Sequence, residues 1–376
     1  MRAGAIALVL FRHTTIWFFR CGTCIRAGVI GAYLGVELFF VLSGFLIGGI
    51  LLRSLTVSPT TTTALSFWRR RWVRTLPNYF LFLVLNVALS IWATGRCPPF
   101  FSYLFFCQNL FGPSPEFFSE SWSLAIEEWF YLLLPLLFLG AREVAPRRFA
   151  SATLTVVVGV IILATALRTA FVLAVHPAWL RGVRVIVLYR LDACMFGVLA
   201  AWVKHFQPRL WARGSGALCC LGLALLGFIS SLAYALPATS IVLHTIGFDG
   251  TSLGGAFLLP FLDQWSIAPR WGRPIIKLSL WSYSLYLVNM PIHEVLTRLL
   301  PAAGASACAI LFVGLSLVVA RINYRLFEKP IMDLRDDWPS KRRRCHPLGE
   351  QPTGAVPRTG LHRRSAALTS ATEWRI

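Results

Sequence analysis

The segment RAGAIALVLFRHTTIWFF, Arg2 to Phe19, is an eighteen-residue apolar run interrupted at Arg12 and His13. At about 1.5 Å per residue it is roughly as long as a lipid bilayer is thick. A titratable side chain at that depth costs roughly 2.5 kcal/mol or more unless it faces protein or water, which makes His13 a functional candidate. Arg2 and His13 are eleven positions apart. That is almost three turns at 3.6 residues per turn, so both side chains leave the same face of a helix. Arg2 is then expected at the membrane surface and His13 near the midplane, about 16 Å further along the axis. Arg12 points about 100° away from His13 and acquires no role from this spacing. The spacing alone fits a hydrogen-bonded core histidine equally well.

The rest of the chain repeats the pattern. Its 376 residues are 56% hydrophobic and 14% charged, with a mean hydropathy of +0.65, which excludes an ordinary soluble globule. A net charge of +20 would point to nucleic acid in a soluble protein. Here the basic residues sit between apolar spans and in the tail, so no nucleic-acid partner is expected and membrane orientation explains the charge. The chain enters its first span at once, so no separate signal peptide is expected. Cys21 and Cys24 form a lone CxxC without the second ligand pair of a zinc site, and no metal is expected.

Ten apolar spans are expected, near 2–19, 33–52, 76–94, 121–139, 152–175, 183–203, 216–235, 241–263, 275–292 and 303–320. The eighth, with four glycines, is the least regular. Lys and Arg distribute unequally over the alternate connections. One set holds Arg53, Arg69, Arg70, Arg71, Arg74, Arg142, Arg147, Arg148, Lys204, Arg209, Arg213, Arg270 and Arg273; the other holds Arg20, Arg26, Arg96, Arg181 and Arg298. The richer set is expected in the cytoplasm, with both termini. The fold class is therefore an all-α, polytopic membrane bundle over residues 1–333. Residues 334–376, with Lys341 to Arg344 and no apolar period, are expected to form a disordered basic cytoplasmic tail.

Several spans carry polar residues that packing does not need. GVELFFVLSGFLI, Gly35 to Ile47, puts Glu37 near the outer end of the second span, with Ser43 and Gly44 permitting close helix approach. FWRRRWVRTLP, Phe67 to Pro77, follows on the cytoplasmic side. Arg71 and Arg74, three apart, form one basic patch suited to phosphates, although charge alone favours a stop-transfer cluster. SWSLAIEEWFY, Ser121 to Tyr131, brings the adjacent carboxylates Glu127 and Glu128 about 9–10 Å into the fourth span. Arg190 and Asp192 read as an internal ion pair. The ninth span contains LWSYSLYLVNMP, Leu280 to Pro291, and Phe327-Glu328-Lys329-Pro330 returns the chain to the cytoplasm.

In this order the segments resemble the acyltransferase 3 family of integral membrane O-acyltransferases, from Arg2 to about Leu334. The resemblance implies a ten-helix core that passes an acyl group from cytoplasmic acyl-CoA, with acetyl-CoA expected, to a hydroxyl at or beyond the outer leaflet. A carbohydrate or glycolipid is the implied acceptor, and a bacterial plasma membrane the implied location. The family's R-x10-H pattern falls on Arg2 and His13, and its R-x-x-R pattern on Arg71 and Arg74. Three departures stand out. The L-D-G-L-R run that usually precedes the first span is absent before Arg2, so either an upstream start or a lost cytoplasmic lead-in is expected. Asn289 replaces a common His, and Trp129 replaces a common Gln.

The residues and the resemblance lead to one expected mechanism. Arg2, Arg71 and Arg74 hold the donor phosphates at the inner surface. His13 serves as general base or as a covalent acyl carrier. Glu37, Glu127 and Glu128 approach from the outer half, to orient His13 or to bind acceptor hydroxyls. Among the histidines only His13 is expected well inside a span; His293 falls near a span end and is expected to be dispensable. A transporter or flippase would also bury such groups, but it would be expected to show internal repeats, which the sequence lacks. An inactive relative would keep the spans without turnover.

Overall fold

A computed structural model describes residues 1–18, 22–57, 60–113, 116–177, 179–237, 239–266, 269–301 and 303–334. No β-strand occurs among them. The long helices are α1 (Arg2–Phe18), α2 (Gly22–Val57), α3 (Thr61–Thr94), α4 (Ser121–Val144), α5 (Phe149–Val175), α6 (Leu191–Phe206), α7 (Ser215–Ala235), α8 (Phe248–Gln264), α9 (Pro269–Leu299) and α10 (Ala305–Asn323). In hydrocarbon every backbone N–H and C=O must be satisfied within the segment, and a helix does that. Six stretches are long and apolar enough to cross a membrane: Ala27–Val57, Thr61–Thr94, Ser121–Val144, Pro146–Val175, Ser215–Ala235 and Ala305–Leu334. Their outward faces carry large apolar side chains such as Val84, Ile162, Phe228 and Ile310, which suits contact with lipid. The tail expected beyond Leu334 lies outside the described residues, as do the side chains of Cys21 and Cys24.

Two boundaries differ from the sequence reading. The basic run 67–77 is not a connection between spans. It lies inside α3, whose 34 residues start at Thr61 and continue through Pro77. A helix of that length reaches about 51 Å, so its first turns project past a bilayer core of about 30 Å with the arginines still on helical geometry. Gly95 stops α3 at φ 71°, its N–H donating to the Ile91 carbonyl at 2.8 Å. That is the left-handed terminus glycine adopts without strain. The sixth helix begins only at Leu191, after a 3₁₀ turn at Val187–Tyr189, so Arg190 and Asp192 flank a helix start rather than lying inside a span.

Helix α2 is central, packed on α1 along one side and on α6 along another. Gly44 and Gly197 make the second contact possible. A Cβ on Gly44 would lie 1.8 Å from the Cys194 carbonyl oxygen, and one on Gly197 would lie 1.9 Å from that of Val41. The two backbones touch where neither residue has a side chain, the small-residue mode of helix association in membranes. Around this contact Phe40, Tyr79, Phe130, Tyr131, Cys194 and Leu287 form the apolar centre of the bundle.

Candidate active site

Five helices enclose a cavity of about 80 Å³. Arg2 enters from α1, and Val36, Phe39, Phe40 and Ser43 from α2. Helix α3 contributes Arg71, Arg74 and Thr75; α4 contributes Ser123, Leu124 and Glu127; α9 contributes Ser282, Tyr283 and Tyr286. All three arginines expected to bind the donor therefore share one wall system, although Arg2 is distant from the other two in sequence.

Glu127 is the carboxylate on this wall, and both of its oxygens are engaged. Ser43 Oγ donates to Oε1 at 2.7 Å, and the Tyr131 hydroxyl donates to Oε2 at 2.8 Å. Arg71 Nη2 stands 4.0 Å from the same Oε2 and donates to the Tyr131 hydroxyl. Arg71 Nε is buried without a partner among the described residues. Arg2 and Arg74 make no ion pair within 4.0 Å among the described residues; the carboxylate acting on both is Glu328. Glu328 ends a π-helical turn at Tyr324–Glu328 and accepts from Ser284 Oγ at 2.6 Å. Three guanidinium groups around one cavity repel each other unless anions compensate, and they leave donors free for a phosphate.

The other candidates lie elsewhere. Glu128 is buried one residue along α4, facing Trp72 and Thr75 of α3 and not the cavity. Glu37 is fully buried and accepts from Arg190 Nη2 at 2.5 Å. Arg190 reaches Asp192 at 3.7 Å, so the expected internal pair is present but is the longer of its two contacts. Arg168 then joins Asp192 at 2.6 Å to Asp249 at 2.8 Å, extending a charge network across α2, α5, α6 and α8. Removing any one member of such a network would strand an uncompensated charge in a low-dielectric interior, so the four helices depend on one another's partners.

His13 is not among the residues lining the cavity. Its ring lies 6.1 Å from that of His293, centroid to centroid, beside Phe312 at 6.3 Å. His293, expected near a span end, thus meets His13 across the bundle. Helix α9 runs on through Pro291 to Leu299 and brings His293 against α1. A proline removes only one hydrogen bond when neighbouring helices hold the segment in place.

Sequence reasoning missed Tyr131, Glu328, His293 and the partners Arg168 and Asp249. Tyr131 stood in the quoted motif beside the paired Glu, and Glu328 in Phe327-Glu328-Lys329-Pro330; an apolar chain spends few such groups without use. Glu120, just before α4, is buried with Oε1 unpartnered, and burial pushes its carboxyl up to about 8.

The family model described as an acyltransferase domain, Acyl_transf_3, matches residues 1–322. The chain belongs to the acyltransferase 3 family. With six helices long and apolar enough to cross a membrane, it is a multi-pass membrane protein. Among curated proteins it is similar to the peptidoglycan O-acetyltransferase OatA of Listeria monocytogenes, 27% identical over 80% of this chain and 51% of that protein. It is also similar to the O-acetyltransferase OatA of Staphylococcus aureus, 25% identical over 80% of this chain and 53% of that protein. The chain spans about half the length of these relatives. No solved structure matches it. Of the family departures, Asn289 spends its amide on the Leu285 and Tyr286 carbonyls, and Trp129 donates to the Phe106 carbonyl at 3.0 Å.

Proposed function

We propose that this acyltransferase moves an acetyl group from cytoplasmic acetyl-CoA to a hydroxyl of a cell-envelope carbohydrate on the outer side of the membrane. The observation that carries the reading is the cavity bordered by Arg2, Arg71 and Arg74, with Glu127 4.0 Å from Arg71 on the same lining. The buried, partnerless Nε of Arg71 fits a phosphate oxygen, and guanidinium forks bind phosphates in pairs of hydrogen bonds. The names of the OatA relatives support acetyl as the group and a glycan as the acceptor class. The 13-to-5 distribution of basic residues, with ten crossings and both termini inside, supports the donor side.

In this reading the donor supplies a thioester, and the chain supplies position and proton handling. Arg2, Arg71 and Arg74 hold the phosphates at the inner end, because such charges do not enter lipid. Glu127, fixed by Ser43 and Tyr131, sets the charge and direction of Arg71. His13 lies about 16 Å along α1 from Arg2, so one rigid helix sets the span between phosphate site and base. Its neutral imidazole takes the acceptor proton while the hydroxyl oxygen forms the ester bond, and returns it to the departing thiolate.

The test is His13→Ala. Loss of a general base commonly lowers the rate about 10² to 10⁴-fold. Acetyl transfer by membranes containing the variant is expected to vanish while insertion and acetyl-CoA binding persist. Near-normal transfer at normal protein level would remove His13 from the mechanism. Acyl-protein that is trapped in the wild type and absent from the variant would replace the base with a covalent relay.

A further inference from the structure

We propose that His293 is the positioning partner of His13, holding its ring through Nδ1 and sharing the proton that His13 takes from the acceptor. The proposal rests on the reading of His13 as the base. Its own support is geometric. The two rings lie 6.1 Å apart at an interplanar angle of 63°. Trp17 of α1 stacks on His293 with centroids 4.6 Å apart, and Phe312 of α10 borders both imidazoles. His13 Nδ1 and His293 Nε2 are both buried, and neither has a hydrogen-bond partner among the described residues.

Two partnerless nitrogens in an aromatic enclosure are each costly. One proton between them satisfies both, because a neutral imidazole carries one donor and one acceptor nitrogen. The side-chain torsion next to a histidine ring is soft, and one water spans rings at this distance. Asn289, one turn earlier on α9, cannot donate, since its amide nitrogen is committed to two carbonyls of its own helix; its Oδ1 is buried without a partner among the described residues, and normal kcat in His293→Phe would point to that acceptor instead. The charged neighbours acting on the pair are Arg12 of α1 and Glu294 of α9.

His293 touches neither substrate in this scheme. As transfer proceeds, the acceptor O–H bond breaks and its proton moves to His13. The oxygen bonds to the acyl carbon, the C–S bond breaks, and the thiolate recovers the proton. His293 fixes which His13 nitrogen is free and spreads the transient positive charge over two rings, the role a third group plays for a catalytic base.

The experiment compares His293→Phe, which keeps a ring against Trp17 but has no nitrogen, with His293→Gln, which restores a hydrogen-bonding group. Both are assayed in membranes beside His13→Ala. We expect His293→Phe to lower kcat about tenfold to hundredfold with KM for acetyl-CoA unchanged, and His293→Gln to recover most of that loss. Normal kcat in His293→Phe, or an equal loss in both variants, would overturn the pairing while an inactive His13→Ala leaves the base in place. An active His13→Ala would overturn both readings. If His293→Phe fails to insert, His293→Leu takes its place with the same expectations.

Discussion

The guanidinium of Arg71 donates to the hydroxyl of Tyr131 and lies over the same ring, 4.1 Å from its centroid, though the two residues are 60 positions apart. Tyr131 in turn donates to Glu127. One phenol therefore couples the arginine expected to meet the donor phosphates to the carboxylate beside it on the cavity wall. Charge-assisted contacts of this kind are about twice as strong as neutral ones.

Tyr131→Phe keeps the ring and its cation contact and deletes only the bridge. A hydrogen bond to a charged group is worth about 1.5–3 kcal/mol. We expect kcat/KM for acetyl-CoA to fall about tenfold or more, read by steady-state transfer in membranes. Unchanged kinetics would mean that Arg71 and Glu127 hold their positions without the phenol.

On the proposed reading, Arg71→Ala and Arg74→Ala would each remove a phosphate contact of roughly the same size, and KM for acetyl-CoA is expected to rise about tenfold. Lysine should discriminate between them. Arg74 has no ring beneath its head group among the described residues, whereas Arg71 uses its planar fork on Tyr131. Arg74→Lys is therefore expected to retain more donor affinity than Arg71→Lys, measured by direct binding. The opposite order would place the phosphate recognition on Arg74.

Glu37→Leu leaves Arg190 buried with the 3.7 Å contact to Asp192 and the Phe248 ring centroid 3.9 Å from its guanidinium carbon. Breaking a buried pair from one side costs about 3–5 kcal/mol, so the thermal midpoint in detergent should drop sharply. Glu37→Gln keeps an acceptor for Arg190 and should retain both fold and turnover. A Glu37→Gln protein that melts normally but is inactive would assign Glu37 to the chemistry instead.

Gly44→Ala drives a methyl group into the Cys194 carbonyl. Overpacking typically costs about 1–3 kcal/mol, and backbone cannot yield as a side chain can. Less folded protein is expected on size-exclusion chromatography. Gly159→Ala on α5 meets nothing within 4 Å and is the matched control, expected to be neutral or slightly stabilising.

Cysteine labelling tests the orientation. Arg147→Cys should react only from the cytoplasmic side and Arg96→Cys only from outside, in a background without the native cysteines. Labelling of position 96 from the cytoplasm would refute the ten-crossing proposal.

Hydropathy and loop charge were sufficient to read an all-helical membrane bundle, because a span must satisfy its backbone within itself and show lipid an apolar face. These are local requirements, visible in any window of about twenty residues. The arginines, Glu127 and His13 were legible for a related reason: ionisable groups at membrane depth are costly enough to stand out singly. Which of them meet is a different matter. Glu37 finds Arg190 only because Gly44 and Gly197 let α2 and α6 touch. His293 faces His13 only because α9 runs on past Pro291 to lie against α1. Periodicity assigns a face to each side chain on its own helix, whereas the partner across the gap is chosen by how close two helices come. That distance was decided by packing in the folded bundle.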